Sequence, residues 1–586
     1  MIAPLLVLLS PIAPMQAQGD VPITSGAIDQ NVPAIVVNEG DLRYPEINLS
    51  HYAGAIAPTP NGNHNEHAPG TPWVAHSIDL LTGVEEFRVL PISAHAPNGR
   101  VTGTEMRDSL EEGLAGSRAT FVDPYVVNEQ VDPWDSHLRQ FFNTSGGSFV
   151  CSGSMIDARH WLTAGHCVHE GSGGAWATNI VGTPSYDGDD DTHGSGNAIY
   201  VVSWSDWTVN GSWSGDSALV RSDRPLGFLT GWMGFGFNDD WLIWWTFETM
   251  HGTGYPGGGW GSFTELRYTY GDFDLYSSFD NAQASVSFSA WIGGMSGGGV
   301  YHKDSAGARY LYANNSYGQG KAANVTTLYG VCKINSTRFY EYRDVTIPGG
   351  YPSTQEDYLP LKVRVDMGGP TITSGDQFAS MTYVVGNMSL YNPPSQSWPV
   401  EVYISTNDNI STADTLIQTH TLTWNAGAKS SANVNVGTPP TIPSGTSAGN
   451  YWLGVVFDIA DAYPSNNDSD GWDADYITVV EEDLLLTGPF SGVAGTVNRL
   501  EVHGGTPGEK MFFVWGKNPG FTTTNICNLT IDIDSARRLA NVTNDLGGVA
   551  VLDIYVPLRH QNQTRYAQAL EPASCRISNV IGWTFF

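Results

Sequence analysis

Residues 149–167 read FVCSGSMIDARHWLTAGHC, and this stretch decides how the rest of the chain is interpreted. Two cysteines, Cys151 and Cys167, enclose a strand-like segment, and His166 lies beside the second of them. In an oxidising compartment we expect them to form a disulfide that clamps two strands and fixes the turn bearing His166. A general base needs such a fixed position, because its imidazole must lie within hydrogen-bonding distance of a nucleophile. His166 is therefore the first candidate catalytic residue.

Two later segments carry the other side chains that a nucleophilic site requires. The segment GDSALVRSDRPLG, residues 215–227, places Asp216 before an apolar strand, and GGMSGGG, residues 293–299, places Ser296 among glycines. A serine hydroxyl is a weak nucleophile until a base and an oxyanion site are brought to it. The three side chains occur along the chain in the order His, Asp, Ser.

In these motifs the chain resembles the trypsin-like serine proteases of chymotrypsin fold. The resemblance implies that Ser296 is the nucleophile, His166 the general base and Asp216 the carboxylate that orients the base. It also implies that the main-chain N–H groups of Gly294 and Ser296 form an oxyanion hole. The motif GYPG, residues 254–257, resembles the bacterial glutamyl-endopeptidase-like branch of this family.

Asp206 and Asp223 are alternatives to Asp216 as the orienting carboxylate. Asp206 lacks the strand that follows this residue in the family, and Asp223 lies beyond that strand. Asp216 is therefore favoured.

The residue before the predicted nucleophile is Met295, where the digestive members of the family carry Asp. In those members the Asp pairs with an N-terminal ammonium that is freed by zymogen cleavage. A methionine cannot form that ion pair. If a pro-segment is present, its removal should activate the site by uncovering it or through another contact.

The residues that would bind a substrate side chain depart from both well-known specificities. Ala290 stands six residues before Ser296, where trypsin has the Asp that binds basic side chains. Asn315 occupies the strand position at which glutamyl endopeptidases carry His. With Trp291 nearby, an apolar or small side chain is favoured before the scissile bond. The segment from Ser316 to Gly318 resembles the edge that pairs with an extended substrate.

The composition excludes several partners. The 586 residues include 27 Lys and Arg against 59 Asp and Glu, a net charge of −32 at pH 7. Such a surface repels nucleic acid and anionic membranes, so neither is an expected partner. Outside the N-terminus, no apolar run approaches the length of a membrane span. The sequence also predicts no cofactor and no catalytic metal.

The N-terminus and the cysteines both indicate export. Residues 1–17 read as a signal peptide, with cleavage after Ala17, which implies a secreted bacterial protein. A second local disulfide is expected between Cys527 and Cys575, and Cys332 is then left as a free thiol.

The predicted fold class is all-β: a chymotrypsin-like double six-stranded β-barrel followed by two β-sandwich domains. The predicted boundaries are a pro-segment at 18–118, the protease domain at 119–345, an immunoglobulin-like sandwich at 357–482 and a C-terminal sandwich at 484–586. The bond between Arg118 and Ala119 is one candidate maturation site. The two sandwiches are candidates for binding a surface or polymer ligand.

The run Asn466–Gly471 (NNDSDG) is rich in oxygen ligands, and calcium is the less favoured interpretation of it. Counted from Asn466, the twelfth position is Ile477, where an EF-hand requires Glu. His64 and His67 are likewise better explained by a solvated loop than by a metal site.

The predicted function is that of a secreted serine endopeptidase acting on protein or peptide substrates. The alternative is a catalytically inactive, protease-like adhesion or binding protein. An esterase would be expected to carry its residues in the order Ser, Asp, His, which the sequence excludes.

Overall fold

The structure is a computed structural model. It describes residues 63, 65, 67–91, 98–104, 121–122, 124–188, 192–239, 248–257, 265–273, 276–277, 280–286, 293–319, 327–480, 483–525 and 529–586. The predicted signal peptide lies outside these residues. Within them the fold is mainly β, which confirms the predicted class. No helix in the described ranges is long and apolar enough to span a membrane.

The first part of the chain contains most of the short helices. Its strands are β1 (Val74–Asp79), β2 (Val84–Val89), β3 (Asn98–Val101), β4 (Tyr125–Val126), β5 (His137–Thr144), β6 (Gly147–Asp157), β7 (His160–Thr163), β8 (Thr178–Pro184), β9 (Gly196–Trp204), β10 (Ala218–Ser222), β11 (Gly234–Asn238), β12 (Met250–Gly254), β13 (Arg267–Gly271), β14 (Tyr276–Ser277), β15 (Asn281–Val286), β16 (Gly299–Lys303), β17 (Arg309–Gln319) and β18 (Thr327–Lys333). Its helices are α1 (Ser205–Thr208), α2 (Gly227–Thr230) and α3 (Ser336–Glu341).

Single helical turns occur throughout the chain. They are Trp134–Ser136, Gly165–Cys167, Trp213–Gly215, Tyr342–Thr346, Pro348–Gly350, Pro464–Asn466, Gly471–Asp473 and Leu558–His560. The turn Gly165–Cys167 carries the predicted general base.

Six strands close into a barrel. Hydrogen bonding runs in the order β10-β7-β6-β5-β8-β9, and β9 pairs with β10 to complete the circle. The apolar side chains of these strands fill the interior, where Trp161 and Trp204 are fully buried. This is the first barrel of the predicted chymotrypsin-like fold, and a closed barrel leaves no free strand edge among its six members.

Strands β3, β4 and β11 to β18 form a separate sheet with its own core. Its order is β14-β15-β18-β17-β16-β12-β13-β4, and β11 joins it alongside β17. Buried aromatic and small residues such as Tyr310, Ala313 and Tyr329 fill this core. The hairpin of β16 and β17 begins directly after the glycines that follow Ser296, so it positions the predicted nucleophile loop.

Part of the segment predicted as a pro-segment is built into the barrels. Strand β1 pairs with β9, and β3 pairs with β11. Trp73 is buried in the main core, stacks against His67 and lies under the guanidinium of Arg338. Whether cleavage separates this segment from the protease domain stays a prediction, but residues 67–104 contribute to its folded structure where they are described.

The remainder of the chain forms two further β-rich regions. The first contains β19 (Tyr358–Asp366), β20 (Ile372–Thr373), β21 (Ser380–Asn387), β22 (Gln396–Ser405), β23 (Thr415–Trp424), β24 (Ser430–Asn435), β25 (Gly449–Phe457) and β26 (Asp475–Val480). The second contains β27 (Leu485–Phe490), β28 (Thr496–His503), β29 (Lys510–Gly516), β30 (Asn518–Thr523), β31 (Thr530–Asp534), β32 (Arg537–Thr543), β33 (Ala550–Val556), β34 (Thr564–Glu571), β35 (Arg576–Ile577) and β36 (Ile581–Thr584).

Each of these regions contains more than one sheet. In the first, the sheets β19-β21-β24 and β20-β26-β25-β22-β23 share one apolar core. In the second, β27-β28-β33 and β32-β29-β34-β35 likewise share a core. The assignment of the first region to the immunoglobulin type stays a prediction, as do the domain boundaries.

The region that begins at β19 is packed directly on the six-stranded barrel. Leu361 and Val384 of this region belong to the same buried cluster as the barrel residue Trp161. Ion pairs cross the contact as well: Lys429 Nζ lies 2.7 Å from Asp157 Oδ1, and Arg224 binds Asp473 with two nitrogens. The two regions therefore share both apolar and charged contacts.

Asp157 is fully buried, so the lysine from the neighbouring region has a large electrostatic effect on it. Burial alone would raise the pKa of Asp157, but the Lys429 ammonium and the His160 imidazole hold that pKa well below its usual range. The hydroxyl of Tyr351 also donates a hydrogen bond to this carboxylate. The carboxylate is thus charged in the folded protein because these partners surround it.

Replacing Lys429 by Met should destabilise the contact between the two regions, because it leaves the Asp157 carboxylate buried without its strongest partner. We expect a loss of about 2 kcal/mol, below the range for a fully buried pair because Lys429 is partly exposed. The folded pKa of Asp157 lies below its unfolded value of about 4, so the pair stabilises above that pH and the effect is lost on acidification.

Thermal melting of the Lys429→Met and Lys510→Met variants tests this expectation. Lys510 is exposed and makes no side-chain hydrogen bond or ion pair within the described residues, so its variant controls for the lost charge. Lys429→Met should melt at a lower temperature than the unaltered protein, whereas Lys510→Met should not. The decrease should become smaller as the pH falls from about 4. Equal melting of the two variants at pH 7 would contradict the expectation.

Candidate active site

The predicted disulfide is present and fixes the turn that carries His166. Cys151 in β6 and Cys167 are bonded, with Cα atoms 6.1 Å apart. His166 lies in the single turn Gly165–Cys167 and is almost fully buried. The bond therefore ties the imidazole-bearing turn to the neighbouring strand of the barrel.

Asp216 contacts the Nδ1 side of the His166 imidazole. Its carboxylate is fully buried and lies 2.9 Å from His166 Nδ1, and it also accepts the His166 main-chain N–H at 2.8 Å. The Ser316 hydroxyl donates to the same carboxylate at 2.5 Å, and Asn314 Nδ2 donates to the Asp216 carbonyl. These bonds place the proton on Nδ1 and leave Nε2 as the basic nitrogen.

The two alternative carboxylates lie in other environments. Asp206 pairs with His67, with 2.7 Å between Oδ2 and Nδ1. Asp223 accepts two hydrogen bonds from Asn197, one from the main chain and one from the side chain. Asp216 alone of these three contacts His166 among the described residues.

Ser296 lies beside the disulfide and is partly exposed. Its carbonyl accepts a 2.7 Å hydrogen bond from Ser152 N and lies 3.8 Å from Cys167 Sγ, next to His166 in the chain. Within the described residues no hydrogen bond joins Ser296 Oγ to His166 Nε2. Such catalytic contacts often tighten only when substrate binds.

The glycines of the nucleophile loop are required by close packing. Gly294 has φ +98°, and a Cβ there would lie 2.3 Å from Gly257 N. Gly297 has φ +83°, and a Cβ would lie 2.2 Å from the Ser152 carbonyl. Neither Gly294 N–H nor Ser296 N–H donates a hydrogen bond to any described group. Both are therefore available to an oxyanion.

Two serines of the CSGS motif hold this loop, a role that the sequence analysis missed. Ser152 Oγ donates to the Gly294 carbonyl at 2.8 Å and accepts from Tyr255 N at 2.8 Å. Ser154 Oγ accepts from Gly299 N and contacts the buried imidazole of His137. Burial lowers the pKa of His137 to about 3, so this imidazole is neutral. The CSGS motif could have indicated this role, because it places both serines within three residues of Cys151.

The residues predicted to bind substrate are only partly described. Ala290 and Trp291 lie outside the described residues. The Asn315 amide donates to the carbonyls of Thr253 and Met295, and its Oδ1 accepts a 2.6 Å hydrogen bond from Tyr329. All the polar atoms of the Asn315 side chain are therefore hydrogen-bonded within the protein.

The predicted substrate-pairing edge lies in β17. Ser316 at its start is buried and directs its hydroxyl to Asp216 rather than outward. Gly318 pairs with Tyr329 of β18 and is exposed.

A cluster of aromatic side chains flanks the His166 imidazole, and no sequence motif predicted it. Trp207, Trp213 and Tyr317 form a buried cluster, and both tryptophans make edge contacts with His166. Tryptophans are abundant in this chain, so no local pattern distinguishes these two. Their packing shields the bond between His166 and Asp216 from water.

The remaining cysteines do not contribute chemistry to the site. Cys332 is buried and free, and burial raises the pKa of its thiol to about 12. Cys527 lies outside the described residues, so its pairing with Cys575 stays a prediction. The cluster of Cys151, His166 and Cys167 could bring three metal-ligand atoms together, but both sulfurs are bonded to each other.

Known proteins resemble part of the chain. Residues 126–342 match the family model described as Trypsin. Glutamyl endopeptidase of Bacillus licheniformis is 25% identical over 211 residues, which cover 32% of this chain and 64% of that protein. Extracellular metalloprotease of Bacillus subtilis (strain 168) is 28% identical over 93 residues, covering 16% of this chain and 29% of that protein. The chain thus spans less than two thirds of the length of these curated relatives.

Solved structures also resemble part of the chain. The thermostable serine protease AL20 from an extremophilic microorganism has 24% identity and a TM-score of 0.32, over 36% of this chain and 98% of that one. A Glu endopeptidase in complex with MPD has 19% identity and a TM-score of 0.31. The match covers 39% of this chain and 99% of that one.

The family match and the curated relative identify residues 126–342 as a trypsin-like serine protease domain. One curated relative of this class is a bacterial glutamyl endopeptidase, which is 25% identical over 211 residues.

Replacing Ser152 by Ala should loosen the nucleophile loop, because Gly294 O and Tyr255 N–H would lose their shared partner. We expect the turnover number on a peptide substrate to fall about 10–100-fold, since small displacements of reacting groups are costly. The Michaelis constant should change little, because Ser152 is buried beneath the loop. Steady-state kinetics check both values.

Ser148→Ala is the matched control, since Ser148 lies in the same strand and no side-chain bond of it is described. Its kinetics should equal those of the unaltered protein. A Ser152→Ala variant with unchanged turnover would show that the loop holds its shape without this hydroxyl.

Proposed function

We propose that the protein is a secreted serine endopeptidase that hydrolyses peptide bonds through an acyl-enzyme. The observation that supports this most strongly is the buried contact of 2.9 Å between Asp216 and His166 Nδ1. A buried carboxylate in this position fixes the imidazole tautomer and stabilises the imidazolium that forms during proton transfer. The loop carrying Ser296 lies beside the same disulfide, with the Ser296 carbonyl oxygen 3.8 Å from Cys167 Sγ.

In the first half of the proposed reaction, Ser296 Oγ attacks the carbonyl carbon of the scissile bond. His166 Nε2 accepts the hydroxyl proton as the new bond forms. The negative charge that develops on the carbonyl oxygen is stabilised by the N–H groups of Gly294 and Ser296. When the intermediate collapses, His166 returns the proton to the leaving amine and the acyl-enzyme remains.

In the second half, a water molecule takes the place of the amine. His166 removes a proton from the water as its oxygen attacks the ester, and the same two N–H groups stabilise the second intermediate. The acid product then leaves and Ser296 regains its proton. The Asp216 carboxylate accepts hydrogen bonds from His166 and Ser316, and these bonds hold the imidazole in place through both halves.

The proposed substrates carry an apolar or small side chain before the scissile bond. The relative from Bacillus licheniformis is named for cleavage at glutamyl residues, but here the position that would read an acidic side chain holds Asn315. The amide of Asn315 donates to main-chain carbonyls and is not free to bind a carboxylate. This supports weak rather than strong cleavage after Glu.

A fluorophosphonate probe, which modifies activated serines, tests the proposed mechanism on the mature secreted protein. The unaltered protein should be labelled and Ser296→Ala should not, because the probe then has no nucleophile. Asp216→Asn should be labelled about 10³–10⁴-fold more slowly, since the imidazole loses its orienting charge. In-gel fluorescence against time gives the rates.

Asp206→Asn is the matched control for Asp216→Asn, because it removes a carboxylate that pairs with His67 instead of His166. Its labelling rate should stay close to that of the unaltered protein. Absence of labelling in the unaltered protein would rule out the peptidase and favour a protein that binds without cleaving. Labelling that persists in Ser296→Ala would rule out Ser296 as the nucleophile.

Profiling of a random peptide library should reveal the substrate preference. We expect cleavage after apolar or small residues to exceed cleavage after Glu, and cleavage after Lys or Arg to be weak. Ser296→Ala, treated in parallel, controls for contaminating proteases. A dominant preference for Glu would show that groups other than the Asn315 amide bind the acidic side chain.

A further inference from the structure

Four oxygen-bearing side chains meet where the second β-rich region contacts the protease domain. We call Asp357, Asp461, Asn466 and Asn467 the oxygen cluster. Asp357 immediately precedes β19, and the other three lie in the loop between β25 and β26. Asn466 Nδ2 donates to Asp357 Oδ1 at 2.9 Å, and Asp461 Oδ2 accepts from Tyr358 N at 2.8 Å. Two segments that are distant in sequence are thus joined at this point.

Each member of the oxygen cluster has one buried oxygen that accepts no hydrogen bond from the described residues. These atoms are Asp357 Oδ2, Asp461 Oδ1, Asn466 Oδ1 and Asn467 Oδ1. A buried acceptor without a donor is costly, and native proteins leave few of them. A cation bound among these side chains would satisfy such acceptors.

Asn467 indicates a ligand independently of the carboxylates. Its side chain is only 4% exposed, and Nδ2 donates to the Ile459 carbonyl at 3.0 Å. Its main-chain carbonyl accepts from Phe457 N, so both ends of the residue are fixed. The same amide group also donates to the Asp461 carboxylate, and the remaining Oδ1 is buried and accepts no hydrogen bond from the described residues.

The charges around the oxygen cluster also favour a cation. Burial raises the pKa of Asp357 to about 7 and that of Asp461 to about 6. Arg159 acts on Asp357 from a distance, but its hydrogen bonds go to the main-chain carbonyls of Ser222, Gly350 and Asp223. Among the described side chains, the two carboxylates have no ion pair of their own.

We propose that the oxygen cluster binds one calcium ion. Two carboxylates and two amide carbonyls are hard oxygen ligands, and calcium accepts six to eight of them in flexible geometry. Magnesium would demand a stricter octahedron and retains most of its water. Ile477 rules out an EF-hand, but the proposed ligands come from two separate segments and do not follow that frame.

The calcium ion would fasten the β25–β26 loop to the residue before β19. That residue follows the connection from Tyr351, whose hydroxyl contacts the barrel carboxylate of Asp157. Binding would therefore stabilise the contact between the second β-rich region and the protease domain. This inference is independent of catalysis and can be tested on an inactive protein.

Isothermal titration of the full-length Ser296→Ala protein with CaCl2, after treatment with chelator, tests the proposal without self-digestion. We expect one saturable site with a dissociation constant of about 10⁻⁴ M or tighter, as in extracellular calcium modules. Melting should shift upward by roughly 5 °C at saturating calcium. MgCl2 at the same concentration should produce a much smaller shift.

Variants in the same Ser296→Ala background identify the ligands. Asp357→Asn and Asp461→Asn should each weaken calcium binding by about tenfold or more. Asp376→Asn, which removes an exposed carboxylate of the same region, should bind as the parent does. Asn466→Ala changes a half-buried residue and provides a second measurement if a carboxylate variant fails to fold by circular dichroism.

Three outcomes would overturn the proposal. The first is the absence of binding heat and of a melting shift at 10 mM CaCl2, about a hundred times the expected dissociation constant. The second is unchanged affinity in the folded variants of the oxygen cluster. The third is a melting shift with MgCl2 as large as that with CaCl2, which would mean that the site does not select calcium.

Discussion

The disulfide between Cys151 and Cys167 is the constraint on which the site depends. It ties β6 to the turn of His166, and β6 in turn supplies Ser152 and Ser154, which hold the loop of Ser296. Base and nucleophile loop are therefore positioned relative to a single strand of a closed barrel. Catalysis by preorganised groups needs this kind of common reference, because neither group can be re-oriented cheaply during the reaction.

The sequence predicts most of what is local in this site. The LTAGHC motif identifies His166 and its disulfide, and the strand after Asp216 distinguishes this carboxylate from Asp206 and Asp223. The segment from Ser316 to Gly318 stays a predicted substrate-pairing edge, and the contact of the Ser316 hydroxyl with Asp216 was not predicted. The position of a residue in a predicted strand indicates its neighbours in the sheet. It does not indicate which distant side chain, such as Asp216 for Ser316, will accept its hydrogen bond.

The sequence could not predict the contacts that join distant segments. Lys429 reaches Asp157 across 272 residues, and β1 pairs with a strand more than a hundred residues later. Such contacts follow from the packing of whole domains, and no periodicity or motif encodes them locally. For the same reason the all-β class was predictable from composition and turns, whereas the shared core between the protease and the next region was not.

Strands β1 and β3 belong to different sheets, and β1 pairs with β9 whereas β3 pairs with β11. Both precede the bond between Arg118 and Ala119, so a cut there would separate them covalently from β9 and β11 but leave these two strand pairs in place. The product would be a two-chain protein that remains one particle under native conditions and separates into two only when it is denatured. Maturation at that bond would then change covalent connectivity while leaving the folded core of the protease domain intact.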